Sequence, residues 1–294
     1  MLEFRVIDIS DKDRINKALK YSDFMSCEYS FANNMAWRRL ADSRIAFYKD
    51  FYICGAFADD IPRFIFPAGS GDIREVIGEL RKYTDNAGKP LCLTAVPEKA
   101  LSILTEIYGD SFIAGYDRDS SDYIYNSSDL ISLSGKKYHG KRNHLARFRE
   151  LGAKFSLMTE KDFDDCITFS AVTYNNKAAI DDHSMLAEQF AINTYFNHFD
   201  ELGLTGGVIR LEGKVVAFTI GEGLSSDTFC VHIEKADTLY NGIYAGINNL
   251  FAEAAAADYK YINREEDMGL EGLRRSKLSY HPAFLLKKYE VTFK

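Results

Sequence analysis

The chain has 294 residues, 46% of them hydrophobic, and carries 43 acidic against 36 basic side chains for a formal net charge of -7. Such a length suits two domains of about 150 residues each, with enough apolar matter to bury a sizeable core. The acidic balance argues against a protein that coats nucleic acid over its whole surface, so any polyanionic partner is held locally and DNA is not expected.

In chain order the first half reads as a strand FRVIDI, a helix after Asp11, a helical region around Phe24 to Leu40, and strands RIAFYKD, FYICGAFAD and PRFIFPAG. Helix Asp72 to Asn86, strand LCLTAV, helix Glu98 to Tyr108 and strand FIAGY complete it. A bridge carrying a basic helix follows.

The second half opens with strand AKFSLM and helical patterning from Asp162 to Tyr174 and from Met185 to Leu202. TGGVIRLEGKVVAFTIGEGLSSDTFCVHIEKA then reads as three strands of an antiparallel meander, turning at LEGK and GLSSD. A helix from Asn241 to Asp258, strand KYINRE, a short helix from Gly272 to Leu278 and a closing strand FLLKKYEVTF end the chain. Both halves share this order without obvious residue identity. A structural duplication is therefore expected, with lobes at 1–118 and 154–294 and a bridge at 119–153.

Five scattered cysteines, Cys27, Cys54, Cys92, Cys166 and Cys230, include no C-x-x-C pair. Neither a disulfide framework nor a metal site is expected, and a reducing cytoplasm fits. The charged N-terminus has no signal-peptide core, and no stretch approaches about 18 consecutive apolar residues, so no membrane span is signalled.

Residues 136 to 149 concentrate Lys136, Lys137, Lys141, Arg142, Arg147 and Arg149, with His139, Asn143 and His144, in a chain that is acidic overall. As a helix this segment buries Tyr138, Leu145, Phe148 and Leu151 and turns Lys137, Lys141 and His144 to another face. That face is either solvated or an anion-binding surface.

In NREEDMGLEGLRRSKLSYHP, Glu265, Glu266 and Asp267 sit at a strand end before a helix bearing Arg274, Arg275 and Lys277. Arg274 and Lys277, three apart, form either a clamp for a phosphate or oxyanion or an ion-pair network with Glu265 or Asp267. Glu265, Asp267 and His232 are the candidate proton acceptors for transfer to an amine. By alternation His232 points away from Val231 and Ile233, toward a cleft or as a hydrogen-bonded structural histidine.

The element order resembles that of GNAT acyltransferases, in which a helix N-terminus presents amides to the pyrophosphate of coenzyme A. The counterparts are Gly69 and Gly71 in PAGSGD, which reads more simply as an ordinary turn capped by Asp72, and Asn241 and Gly242 in LYNGIYA. There Tyr244 stands where the pattern has a small residue, and the leading basic residue is missing.

The segments Leu133–Phe148 and Asn263–Pro282, with Gly-Leu-Arg-x-x-Lys at Gly272 to Lys277, resemble the phosphatidylglycerol lysyltransferase C-terminal family and its Fem-type relatives. The resemblance covers nearly the whole chain. It implies an α/β fold of two tandem GNAT-like lobes, each a mixed, mostly antiparallel sheet flanked by helices. It also implies acyl or aminoacyl transfer from acetyl-CoA or aminoacyl-tRNA, with Lys137, His139, Lys141, Arg142, Asn143, Asn263 and Tyr280 toward the substrate. The alternative is a non-catalytic module that binds a coenzyme A derivative, a nucleotide or a lipid headgroup.

Overall fold

The computed structural model describes residues 2–175 and 182–294. Its contacts divide the chain into two units, Met1–Ser121 with Leu286–Lys294, and Asp122–Leu285. Residues 122–153 of the segment expected as a bridge thus fall in the second unit, and the last strand falls in the first.

The first unit runs α1 (Lys12–Ser22), α2 (Phe31–Ala36), β1 (Ser43–Tyr48), β2 (Phe51–Ala56), β3 (Arg63–Ile65), β4 (Ala68–Gly69), α3 (Ile73–Asn86), β5 (Cys92–Pro97), α4 (Glu98–Tyr108) and β6 (Phe112–Tyr116). The second contains β7 (Asp122–Asn126), α5 (Ser127–Ser132), α6 (His139–Glu150), β8 (Lys154–Leu157), α7 (Phe163–Asn175), α8 (Asp182–Asn197), α9 (Phe199–Leu202), β9 (Thr205–Leu211), β10 (Lys214–Gly223), β11 (Thr228–Ala236), α10 (Ile243–Ala255), β12 (Tyr261–Asn263), α11 (Glu271–Leu278) and β13 (Phe284–Leu286). Strand β14 (Lys288–Phe293) returns to the first unit.

The two sheets repeat one plan. In the first, β1, β2 and β3 pair antiparallel and β5, reached through α3, lies parallel to β3. In the second, β9, β10 and β11 pair antiparallel and β12, reached through α10, lies parallel to β11. Each sheet then takes a strand from a distant part of the chain, β14 between β5 and β6, and β7 between β12 and β13.

Periodicity explains most of this. In α3 the buried positions Val76, Ile77, Leu80 and Thr84 make one stripe, and Asp72 caps the helix by accepting a bond from the Arg74 amide at 2.9 Å. At LEGK, Glu212 and Gly213 have φ of 50° and 82°. Two positive φ values match the tight hairpin whose twist suits its strands.

The first core gathers Ile53, Phe64, Val76, Leu80, Leu93, Leu104 and Val291, each side chain stabilising the fold by about 1.5–3 kcal/mol through burial. In the second unit α10 lies against β9, β10 and β11 beside α5 and α6. Phe169 of α7 and Phe196 of α8 meet Phe218 of β10.

Three expectations change. FRVIDI is not a strand: only Arg5 bridges to Ile45. Its Val6 is exposed, so the alternation has no sheet face to bury. FLLKKYEVTF is two strands in two sheets. DYIYN, read within the bridge, is β7, and its Tyr123, Ile124 and Tyr125 are all buried.

Candidate functional site

In the second unit the parallel strands part. β11 and β12 pair from Thr228 with Tyr261 to Cys230 with Asn263. Beyond that β11 continues to Ala236, whereas the chain after Asn263 stays with β7, the Arg264 amide donating to Tyr123 O at 3.0 Å and the Tyr123 amide to Glu265 O at 3.1 Å. The gap opened by this divergence receives His232 and Glu234 from one strand and Arg264 and Glu265 from the other.

A bulge sets which way these side chains point. Ile220 faces Ile233 but Gly221 faces Val231, leaving His232 as the extra residue. A bulge re-aims the side chains beyond it. Val231 packs with Phe251 and Ala252 of α10, and Glu234, three residues on, also meets α10 by accepting from Asn248 Nδ2 at 3.1 Å. Regular alternation, as expected from the sequence, would put these two on opposite faces. Gly221 permits the bulge, since a Cβ there would stand 2.3 Å from Cys230 O.

His232 is buried with both ring nitrogens engaged, Nδ1 with Glu265 Oε1 at 2.8 Å and Nε2 with Glu222 Oε1 at 3.1 Å. Its ring stacks on Tyr195 of α8, centroids 5.7 Å apart and planes 14° apart. Burial disfavours the charged ring, but its surroundings, including Tyr195, Cys230 and Glu222, outweigh this and raise its pKa well above the usual histidine value. A protonated imidazole donating to two carboxylates is the consistent state.

Glu265 reaches this pair from a left-handed backbone, φ 56°, with its amide bonded to Asn263 Oδ1 at 2.6 Å. Asn263 is fully buried and its Nδ2 donates to Asp122 Oδ2 at 2.7 Å. It therefore holds the turn. The Glu265 side chain remains 21% exposed, so the network has a carboxylate at its edge.

Arg274 and Lys277 are committed to the same turn. Arg274 donates through Nε at 3.0 Å and a terminal nitrogen at 2.9 Å to Asp267, whose carboxylate also accepts from Tyr123 Oη at 2.5 Å and the Gly269 amide at 2.9 Å. Lys277 Nζ donates to Arg264 O at 2.6 Å and Glu266 O at 2.5 Å. Of the two sequence readings, the ion-pair network with Asp267 describes the observed geometry.

On α6, Leu145 and Phe148 are buried as expected, with Tyr138 just before the helix and Leu151 packing beside them. Lys141 lies 3.5 Å above the ring of Tyr280, which is buried and also meets Arg264 with Cζ 5.0 Å from its centroid. Burial, then the nearby Arg264, lower the Lys141 pKa to about 8. Arg142 ties the preceding loop by donating to Leu133 O at 2.5 Å and Gly135 O at 2.7 Å. Lys137 approaches Asp129 at 3.4 Å, and His139 and Asn143 meet each other at 3.4 Å. These last contacts are local and leave His139 and Asn143 exposed.

Gly242 caps α10 with φ 92°, and a Cβ there would lie 2.2 Å from His144 O on α6. His144 Nδ1 meets Asn241 Oδ1 at 3.3 Å. The start of α10 is thus packed against α6. In the first unit the Gly69 amide donates to Ser22 Oγ at 2.8 Å, and Asp72 puts a carboxylate at the start of α3 beside Gly71. That arrangement matches the capped turn.

Sequence reasoning missed Glu222, Glu234, Arg264 and Tyr195 as participants. Arg264 and Glu234 form an ion pair at 2.7 Å within segments already singled out, but the bulge that turns Glu234 has no plain signature. Cys230 Sγ, His232 Nδ1 and Glu265 Oε1 lie within 4.8 Å of one another and are the metal-ligating types that come together here. The 2.8 Å between nitrogen and oxygen is a hydrogen-bond length, whereas two such ligands on one tetrahedral zinc ion would sit about 3.3 Å apart. Burial pushes the Cys230 thiol up to about 12, which disfavours a thiolate nucleophile.

The sequence pattern of the family described as "Phosphatidylglycerol lysyltransferase, C-terminal" matches residues 20–292. A conserved protein of unknown function from Bacteroides thetaiotaomicron is 37% identical, with a TM-score of 0.93 over 100% of both chains. L-PGS from Bacillus licheniformis is 16% identical with a TM-score of 0.69, covering 97% of this chain and 92% of that one. FemX, at 7% identity and TM-score 0.66 over 98% and 96% of the two chains, and a tandem GNAT protein from the clavulanic acid pathway, at 8% and 0.50 over 99% and 98%, share the fold. An uncharacterised protein from Mycoplasmoides gallisepticum is 27% identical over 180 residues, 58% of this chain and 56% of its own length, so the chain spans little more than half of that relative. The two units are tandem GNAT-like lobes, as the element order implied.

Proposed function

The chain belongs to the phosphatidylglycerol lysyltransferase C-terminal family, and from this premise we propose that it transfers an aminoacyl group from aminoacyl-tRNA to an amine or hydroxyl acceptor. The observation that carries the reading is the partly exposed Glu265, held at 2.8 Å by a buried histidine where β11 and β12 part. The acceptor nitrogen or oxygen attacks the ester carbonyl and forms the new bond, and its proton passes to Glu265. The carbon–oxygen bond to the RNA breaks, and the departing ribose oxygen takes a proton. His232 acts as a positioning residue, bonded to Glu222 on its far side, and keeps Glu265 aimed at the gap.

The packing of α6 against Gly242 favours an RNA ester over coenzyme A as donor, because the amides expected to face a pyrophosphate start a helix that is already covered. Five free thiols suit a reducing cytoplasm. Among the described residues no helix is long and apolar enough to cross a membrane.

A second reading, a non-catalytic module for a coenzyme A derivative, nucleotide or lipid headgroup, draws on the commitment of Arg274 and Lys277 to internal partners. Thermal unfolding with an aminoacyl-tRNA pool, deacylated tRNA and acetyl-CoA separates the possibilities. A ligand at a hundred times its Kd stabilises the fold by about 2.7 kcal/mol. Stabilisation by aminoacyl-tRNA, followed by loss of its ester, supports transfer. A shift with acetyl-CoA alone moves the donor to a thioester, and binding without turnover favours the module.

A further inference from the structure

We infer that Lys141 and Arg264 form a subsite for one small oxyanion, a phosphate or a carboxylate, against the ring of Tyr280.

The charges at this place do not balance. Arg264 has a side chain only 10% exposed and donates one terminal nitrogen to Glu234 at 2.7 Å. Its other terminal nitrogen, NH1, is buried and has no hydrogen-bond acceptor among the described residues. The ammonium of Lys141, 3.5 Å over Tyr280, likewise has no carboxylate or hydrogen-bond acceptor among them. Glu234, paired with Arg264 and not with Lys141, is also engaged by Asn248 Nδ2 at 3.1 Å.

A buried guanidinium donor without an acceptor has lost its water and gained no partner, a penalty that an incoming oxyanion would offset. A ring face attracts a cation without neutralising it, so Tyr280 does not replace the missing anion. Guanidinium and ammonium groups in a half-buried setting select phosphate or carboxylate oxygens. Burial first, and the neighbouring Arg264 second, lower the Lys141 pKa to about 8, so the ammonium is still the main form near neutrality.

The inference is independent of the transfer reaction, and inorganic phosphate and acetate test it without any substrate. Calorimetric titration of the whole chain is compared with Lys141→Gln and Lys141→Arg, circular dichroism confirming that each variant folds. We expect the wild type to bind at least one of the two ions at millimolar concentration, and the affinity to fall about tenfold in Lys141→Gln. For acetate, affinity should decline as pH rises through about 8 in the wild type, as Lys141 loses its charge, and persist in Lys141→Arg. Binding of phosphate alone or acetate alone assigns the class of ligand within the same subsite. No binding of either ion, or equal binding by Lys141→Gln, overturns the inference.

Discussion

His232 Nδ1 and Glu265 Oε1 meet at 2.8 Å across the divergence of β11 and β12, and the opposite ring nitrogen meets Glu222 at 3.1 Å. Replacing the ring by Gln leaves two carboxylates around a buried site with no cation between them. We expect His232→Gln to cost about 3 kcal/mol in the mildly acid range.

The pH dependence of that cost has a definite sign. The folded pKa of His232 lies well above its ordinary value of 6.5, so its contribution is complete below that value and is lost as pH rises through the folded one. The stability gap between wild type and His232→Gln should therefore be widest below neutrality and narrow in alkali. Urea unfolding across this range reads it, and a gap that widens with pH would contradict a charged imidazole.

Arg274 makes two bonds to Asp267, a carboxylate fully buried beside Tyr123. Arg274→Ala strands that charge and is expected to cost about 3–5 kcal/mol. Arg274→Lys keeps the charge but not the paired geometry and should lie between Ala and wild type. Any activity lost in Arg274→Ala should follow the loss of folded protein. A catalytic clamp would instead lose turnover at full stability.

Gly242 and Gly272 give opposite expectations for one substitution. Gly242→Ala puts a methyl group 2.2 Å from His144 O at φ 92°, and should destabilise by about 2 kcal/mol or more. At Gly272, in the first turn of α11, nothing lies within 4 Å of an added Cβ. Gly272→Ala should be neutral or stabilise by up to about 1 kcal/mol. Thermal midpoints of the two variants report the difference directly.

The meander β9–β10–β11 was legible because period-two alternation and the LEGK turn agree on one answer. Helices α3 and α10 were legible from their apolar stripes, and α6 from Leu145 and Phe148. The exchange of β7 and β14 between sheets was not, since alternation says whether a segment is a strand but never which neighbour it joins. DYIYN also lies among polar residues that read as a linker. At the site, the pairing of His232 with Glu265 was within reach because both residues stood in segments already marked as chemical. Glu222 was not, because the approach of β10 to that pair is set by the bulge at His232. The commitment of Arg274 to Asp267 stood as one of two readings that spacing alone leaves equal.

The measurement closest to the central claim is single-turnover loss of the ester from an aminoacyl-tRNA pool, with an amine acceptor present, for wild type and Glu265→Gln. Gln keeps the shape and can still accept from His232, but it cannot take the acceptor's proton. The transfer reading predicts that the wild type consumes the ester and that Glu265→Gln is slower by about a hundredfold or more with donor binding unchanged. An equal rate in Glu265→Gln, or no consumption by wild-type protein that binds the donor, would contradict it.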